Sequence, residues 1–469
     1  MFGRFRGGAA ALVEPAPADD PRPAAVPEPA APQLAVQARP VSFEDSERYI
    51  DLKVSLHRKL IDVINLAALD KMERDDIARE VNDILGDLLT DEQIALNAGE
   101  RSRLTRDIID ELLGLGPLEP LLKDPTVSDI LVNTHAQVFI ERRGTLELSS
   151  VKFRDERHLR RIIDRIVAAV GRRVDESQPM VDARLPDGSR VNAVVPPVAI
   201  DGSIVSIRKF SKTPLSVDRL VATGSVTPEI AQVLRAVVKS RLNVLISGGT
   251  GTGKTTMLNA LSSFIDERER VVTIEDAAEL QLQQAHVVRL ETRPANIEGR
   301  GEIAQRELVK NALRMRPDRI ILGECRAGEA FDMLQAMNTG HDGSMTTIHA
   351  NTCRDALGRL EQLIGMTGMN LPPRSMRAQI ASAIHVIVQI RRFSDGRRRL
   401  VSLSEITGME GEIVTMQEIF RFDQHGVDAD GTVRGVHVAT GVRPRFFEHA
   451  AACGLDLPSR LFAPNHTLG

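Results

Sequence analysis

Residues 243–256 read NVLISGGTGTGKTT. A short apolar run, Val244-Leu245-Ile246, meets a glycine-rich turn, and the turn opens on Lys254 with two threonines behind it. Gly248 to Thr255 matches G-x-x-x-x-G-K-[ST], and a strand before with a helix after is the setting that gives the match meaning. A chance glycine-rich loop would have neither neighbour. Gly248, Gly249, Gly251 and Gly253, with Thr250 and Thr252 between them, let backbone N–H groups turn inward around phosphates. The helix opening at Lys254 adds the positive end of its dipole. Lys254 supplies charge for the β- and γ-phosphates, and the Thr255 hydroxyl, followed by Thr256, is a ligand for Mg²⁺. The expected cofactors are therefore ATP and Mg²⁺. The loop alone does not say what the nucleotide drives.

Outward from this loop the chain alternates strand and helix. VVTIED, HVVRLE, RIILGE, SMTTIHA and AIHVIVQI are strand candidates with helical stretches between most of them. Apolar strands with interposed helices predict an α/β domain with a mainly parallel sheet, placed at 222–423. A linker is expected at 213–221. Before it, SDILVN, VFIERRG, LELSSVKF and SIVSIRKF read as strands, HLRRIIDRIVAAVGRRV as a helix, and MVDARLP-DG-SRVNAVVPP as a hairpin around Asp187-Gly188. This is a smaller α+β domain over 116–212. Apolar spacing of three and four in ERYIDLKVSLHRKLIDVINLAAL, DKMERDDIAREVNDILGDLL and ERSRLTRDIIDELLGLG predicts a small helical bundle over 47–115. Residues 1–46 are Ala/Pro-rich and have little to bury, so a disordered arm is expected there. The tail, 424–469, reads as irregular.

The 469 residues exceed one compact core. Charged residues make up 26%, apolar residues 42%, and the net charge is −4, which argues against a dedicated nucleic-acid binder. Cys325, Cys353 and Cys453 show no CxxC pairing, and the simple reading is a reducing, cytosolic compartment. No apolar run approaches the roughly 20 residues a membrane helix needs. The opening MFGRFRGGAAALV is too short in its apolar part to be a signal peptide and runs into Glu14-Pro15. Membrane association is expected to be peripheral.

Two acidic strand ends narrow the chemistry. Glu324 ends RIILGE, and Glu275, Asp276 and Glu279 lie in VVTIEDAAEL. Carboxylates beside a Mg–phosphate site hold metal or polarise the attacking water. Thr255 and Glu324 are the expected metal-side residues. Glu275 is the first choice to orient water and Glu324 its rival. In TGHDGSMTTIHANT, His341 and His349 are eight apart with no further Cys or His at ligand spacing, which makes zinc a weak reading.

The order P-loop, TIEDAAEL, RIILGECR, TGHDGSMTTIHANT resembles the type II/IV secretion ATPases, in which the four blocks are Walker A, Asp box, Walker B and His box. The resemblance spans roughly 115–423. LGLGPLEPLLKDPTVSDILVN, VDARLPDGSRVNAVVPP, NALRMRPDRIILGECRAGEA and TGMEGEIVTMQEIF look most like the CpaF-type ATPases of tight-adherence (Tad/Flp) pili. The resemblance implies a RecA-like ATPase domain behind a PAS-like α+β domain. It also implies a homohexamer on the cytoplasmic face of the inner membrane, and a membrane platform protein and other pilus assembly proteins as partners, with no nucleic acid. His349 would sense the γ-phosphate, and His341 and Arg293 would lie at the nucleotide. Arg190 and Arg208 would complete the site with positive charge from a neighbouring subunit, with Arg184 and Arg289 as further candidates. Arg314 and Arg316 suit a helix surface. Cys325 is a small neighbour, not a nucleophile, because this chemistry needs no covalent intermediate. The expected function is ATP hydrolysis driving pilus assembly. The alternatives are a type IV (conjugation-like) or type II secretion ATPase exporting protein or DNA, and a nucleotide-gated scaffold without turnover.

Overall fold

The computed structural model describes residues 74–142, 144–210, 216–295 and 300–468, with isolated helical positions between 49 and 60. The expected arm over 1–46 lies outside the described residues. Two helices, α1 (Arg74–Asp91) and α2 (Ala98–Leu113), come first. Ile77, Val81, Leu85 and Leu89 recur every four residues along α1 and are buried. Asn97 caps α2 in a reciprocal pair with Glu100. A short helix α3 (Glu119–Lys123) follows.

The α+β part is a six-stranded antiparallel sheet. Its strands are β1 (Val127–Thr134), β2 (Gln137–Arg142), β3 (Thr145–Leu148), β4 (Met180–Arg184), β5 (Arg190–Val194) and β6 (Ile204–Arg208), in the spatial order β3-β2-β1-β6-β5-β4. Helix α4 (Glu156–Ala169) covers it, burying Leu159, Ile162, Ile163, Ile166 and Val167 on one stripe. The β4–β5 hairpin forms at Asp187-Gly188, as its sequence predicts.

The second sheet starts after α5 (Val217–Ala222) and α6 (Pro228–Lys239). In chain order come β7 (Val244–Gly248), α7 (Lys254–Ser262), β8 (Val271–Glu275), β9 (Val287–Glu291), α8 (Gln305–Ala312), β10 (Arg319–Cys325), α9 (Glu329–Asn338), β11 (Met345–Ile348), α10 (Cys353–Gly365), α11 (Pro373–Ala383) and β12 (Val386–Arg392). The six strands are all parallel in the order β12-β7-β11-β10-β8-β9, and every residue of β7, β8 and β11 is buried. Helices cover both faces, which is why these strands read as unbroken apolar runs. This is an α/β fold of the RecA-like kind.

The expected mainly parallel sheet is there, with an antiparallel extension. Past β12 it continues through β13 (Arg398–Glu410), β14 (Ile413–Val427), β15 (Val433–Ala439) and β16 (Thr467–Leu468), each antiparallel to the one before, so ten strands form one sheet. One expectation is corrected: the tail over 424–469 is not irregular. It supplies the end of β14, then β15, helix α12 (Phe446–Ala452) and β16, and it buries Phe446, Leu461, Phe462 and Leu468 in the same core as Val244 and Ile246. The tail's apolar residues are spread among Gly and Pro, so no period announces them. They are ordered by the core they close. Of the linker expected over 213–221, residues 213–215 lie outside the described residues, and 217–221 belong to helix α5.

Candidate functional site

The glycine-rich loop leaves β7 at Gly248 and enters α7 at Lys254, with Gly251 at φ +70° and Gly253 at φ +94°. These are left-handed backbone positions that a side chain would strain, and they turn the amides inward. Thr252 Oγ1 donates to Gly249 O at 2.9 Å, closing the loop on itself. Lys254 Nζ donates to Gly249 O at 3.1 Å and lies 3.8 Å from Glu324 Oε1. Burial pushes the Lys254 pKa down, Glu324 opposes, and Arg326 and Arg208 push the same way as burial.

The parallel register brings the other motifs to this loop. Ile348 pairs with Ser247, so His349 follows β11 beside the start of the phosphate loop, and it is exposed. Ala350 O accepts from Ser247 Oγ at 3.5 Å and from Gln389 Nε2 at 3.2 Å, fixing the chain just past His349. Cys325 pairs with Ile348 and Leu322 with Ile274, so Glu324 and Glu275 lie at the same carboxyl edge. Four motifs dispersed over about a hundred residues thus meet at the carboxyl ends of the adjacent strands β7, β11, β10 and β8, where open α/β sheets bind ligands.

The carboxylates differ. Glu275 is 4% exposed, and its Oε2 accepts from the Glu279 and Leu280 amides at 2.7 and 2.9 Å. Burial pushes its pKa up, opposed by those two amides. Its Oε1 is buried without a protein partner. Glu324 Oε2 accepts from Arg326 Nη2 at 2.8 Å, while Arg326 Nη1 reaches Asp276 Oδ2 at 3.0 Å. One arginine, absent from the sequence reading, therefore links the two acidic motifs. Its only signal was its place one residue past Glu324-Cys325.

The six-stranded sheet reaches the same edge. Arg184 pairs across strands with Arg190, Arg190 with Arg208, and Arg208 with Asp129, which sets the three arginines in one row. Arg190 Nη1 meets Glu279 Oε1 at 2.9 Å, and its Nη2 donates to Ala277 O at 2.8 Å. Arg184 holds Glu291 Oε2 at 2.6 Å and Ala278 O at 2.9 Å. Arg208 lies 4.0 Å from Asp129 and over half exposed. Arg184, Arg190 and Arg208, with Asp129, Glu291, Asp276 and Arg326, line a cleft of about 690 Å³. Arg190, expected to complete a neighbour's site, is in contact with the Asp-box turn of its own chain.

Two expected nucleotide residues lie elsewhere. His341 sits at the amino end of β11, opposite the phosphate-loop edge, with its Nδ1 3.2 Å from Ala336 O. The strand between the two histidines carries them to opposite edges of the sheet. Arg293 turns back on its own loop, donating to Gly301 O at 2.7 Å. Arg289 lies on the edge strand β9. Cys325 is buried, and burial pushes its thiol up to about 12, which suits a packing role.

Thr255, in the first turn of α7, and Glu324 offer a hydroxyl and a carboxylate beside Lys254, a hard-oxygen donor set that fits Mg²⁺. Comparison with known proteins gives the family. A family profile described as "Type II/IV secretion system protein" matches residues 111–428. The chain belongs to the type II/IV secretion system protein family. With its phosphate loop and carboxylates in place, this family member is an ATPase. It is 40% identical to "Putative conjugal transfer protein Rv3659c" of Mycobacterium tuberculosis over 65% of this chain and 87% of that protein. It is 35% identical to "Conjugal transfer protein TrbB" of Rhizobium radiobacter over 62% and 86%. Among solved structures, the VirB11 ATPase of the Brucella suis type IV secretion system is 30% identical over 62% of this chain and 95% of that one, with a TM-score of 0.34. No helix among the described residues is long and apolar enough to cross a membrane.

Proposed function

We propose that this secretion-family ATPase hydrolyses ATP to ADP and phosphate as the motor of a type IV secretion or conjugation-type machine. The observation that carries it is the meeting of four motifs at the carboxyl ends of β7, β11, β10 and β8. Lys254 and the loop amides bind the phosphates. Thr255 and Glu324 hold the Mg²⁺, which when bound supplies positive charge against the phosphate oxygens. Glu275, with one oxygen spent on two amides, braces the Asp-box turn. Glu324 is left to orient the attacking water, while Glu279 is engaged by Arg190. His349 reads the γ-phosphate. Arg190 and Arg208 place charge at the cleft, and exchange of their partners between chains would couple sites in a homohexamer. Loss of the γ-phosphate would then change how the two sheets meet. Work at the cytoplasmic face of a membrane, through a membrane partner, belongs to this reading.

Support for the load comes from relatives named for conjugal transfer. The Tad/Flp pilus reading rests on the sequence blocks around LGLGPLEPLL and TGMEGE. Steady-state ATPase of the wild type against Lys254→Ala tests the activity. Equal rates would remove it and leave a scaffold. Deleting the gene decides the load: lost conjugation or export supports the proposal, and lost surface fibres with export intact supports the pilus.

A further inference from the structure

The β12–β13 hairpin leaves the sheet beside the phosphate loop, with Ile390 paired to Gly248. Two residues on, Arg392 pairs directly across strands with Arg398. Like charges set opposite each other in a sheet are destabilising, and among the described residues neither guanidinium has a carboxylate within ion-pair distance. The contrast is one residue away: Arg399, on the other face, pairs with Asp395 at 3.0 Å. Arg398 Nε instead donates to Gly251 O at 2.8 Å, inside the phosphate loop, and Arg392 donates to Gly144 O at 2.7 Å. A Cβ placed on Gly253 would lie 3.3 Å from Arg398 Cδ, so the side chain lies against the loop. The surrounding protein pushes the Arg398 pKa down first, and Arg392 and Arg208 add to it. Lys254 is likewise bonded to a loop carbonyl. Arg398, Arg392, Arg208 and Lys254 therefore gather around one loop, with the more distant Glu141 and Asp129 opposing.

We infer that Arg398 is a nucleotide-binding residue supplied by the same chain: its guanidinium leaves Gly251 O for a phosphate oxygen of the bound nucleotide, with Arg392 reinforcing the charge. The inference rests on the reading that ATP occupies this loop. A guanidinium bonded to a carbonyl gains more from an anionic oxygen, because a full negative charge attracts it more strongly than a carbonyl dipole does, the more so where the protein excludes part of the water. The arrangement keeps a cation aimed at the loop before the ligand arrives and spares the cost of ordering a free side chain.

The test is MgADP and MgATP binding, with steady-state kinetics, for wild type and for Arg398→Ala, Arg398→Gln and Arg398→Lys. Glutamine keeps a donor for Gly251 O but carries no charge. The expected result is that Ala and Gln both weaken binding and raise KM about tenfold or more. Lys should recover most of the loss, kcat at saturation should change much less, and the melting temperature should hold. Gln binding like wild type would overturn the inference and leave Arg398 a brace for the loop backbone. All three variants binding like wild type would make it a bystander. Wild type failing to bind either nucleotide would remove the ATPase reading itself, an outcome visible before any variant is compared.

Discussion

The guanidinium of Arg190 meets the carboxylate of Glu279 at 2.9 Å, joining the edge of the six-stranded sheet to the turn that follows β8. The same arginine holds Ala277 O, and Arg184 holds Ala278 O beside it. The two arginines, paired across β4 and β5, grip consecutive carbonyls of one turn. A part-exposed ion pair of this kind contributes only about 0–1 kcal/mol to stability. Arg190→Ala should leave the melting temperature within a few degrees and lower ATPase turnover at least tenfold. A large fall in melting temperature with turnover intact would show that the contact serves folding alone.

Glu275 and Glu324 separate by environment. Glu324→Gln should bind MgATP and lose turnover about a hundredfold or more, the scale of a lost group in general acid–base catalysis. Glu275→Gln keeps an acceptor for the Glu279 and Leu280 amides and should retain more activity. Glu275→Ala strips both amides of their partner and should loosen the turn, read as faster amide exchange at 276–280. If Glu275→Gln is the dead variant and Glu324→Gln is active, the two roles are reversed.

Arg319 is 1% exposed and grips Glu269 with two bonds, at 2.7 and 2.9 Å, while its third nitrogen donates to Val238 O and Gly343 O. It ties the start of β10 to the end of α6 and the approach to β11. Arg319→Ala would leave Glu269 with only Arg241, at 3.3 Å, and would strip the buried carbonyls of Val238 and Gly343 of their donor, a loss of roughly 1–3 kcal/mol for an unsatisfied buried group. Gly343→Ala should be nearly as damaging: φ is +80°, and the new Cβ would lie 2.4 Å from an Arg319 nitrogen. Thermal melts of both variants check this, and wild-type melting in either would refute it.

Glu111 is held by Lys53 Nζ at 3.0 Å and His158 Nε2 at 2.9 Å. Burial alone would raise its pKa. The His158 hydrogen bond and the Lys53 and His158 charges outweigh it and carry the group from an ordinary 4.5 to about 2. The folded pKa is the lower one, so this carboxylate stabilises the fold above about 4.5 and the contribution is lost as pH falls towards 2. Glu111→Gln should therefore destabilise the protein at pH 7 and cost much less at pH 2.5. Equal losses at both pH values would contradict the assignment.

Cys325 and Cys353 are buried, with thiols pushed up by burial, and Cys453 is exposed. Iodoacetamide at pH 8 should label Cys453 in the folded protein and reach the other two only on denaturation, read by mass spectrometry. Prompt labelling of Cys325 would mean that the Walker B strand opens in solution.

The sequence by itself determined the phosphate loop, the strands and helices around it and the family. Those signals are local: a glycine pattern fixed by backbone geometry, and apolar runs whose period follows from burial on one face or two. The row Arg184–Arg190–Arg208 was only half legible, because arginines on strands look alike until register places them opposite one another. Tertiary structure alone decided that His349 and not His341 stands at the loop, since eight residues of chain include a strand that crosses the sheet. It alone brought in Arg326, Arg392 and Arg398, whose partners are loop carbonyls and carboxylates contributed by other strands. It alone ordered the last 45 or so residues, whose apolar side chains have no period of their own and settle where the core of the parallel sheet remains open to be covered.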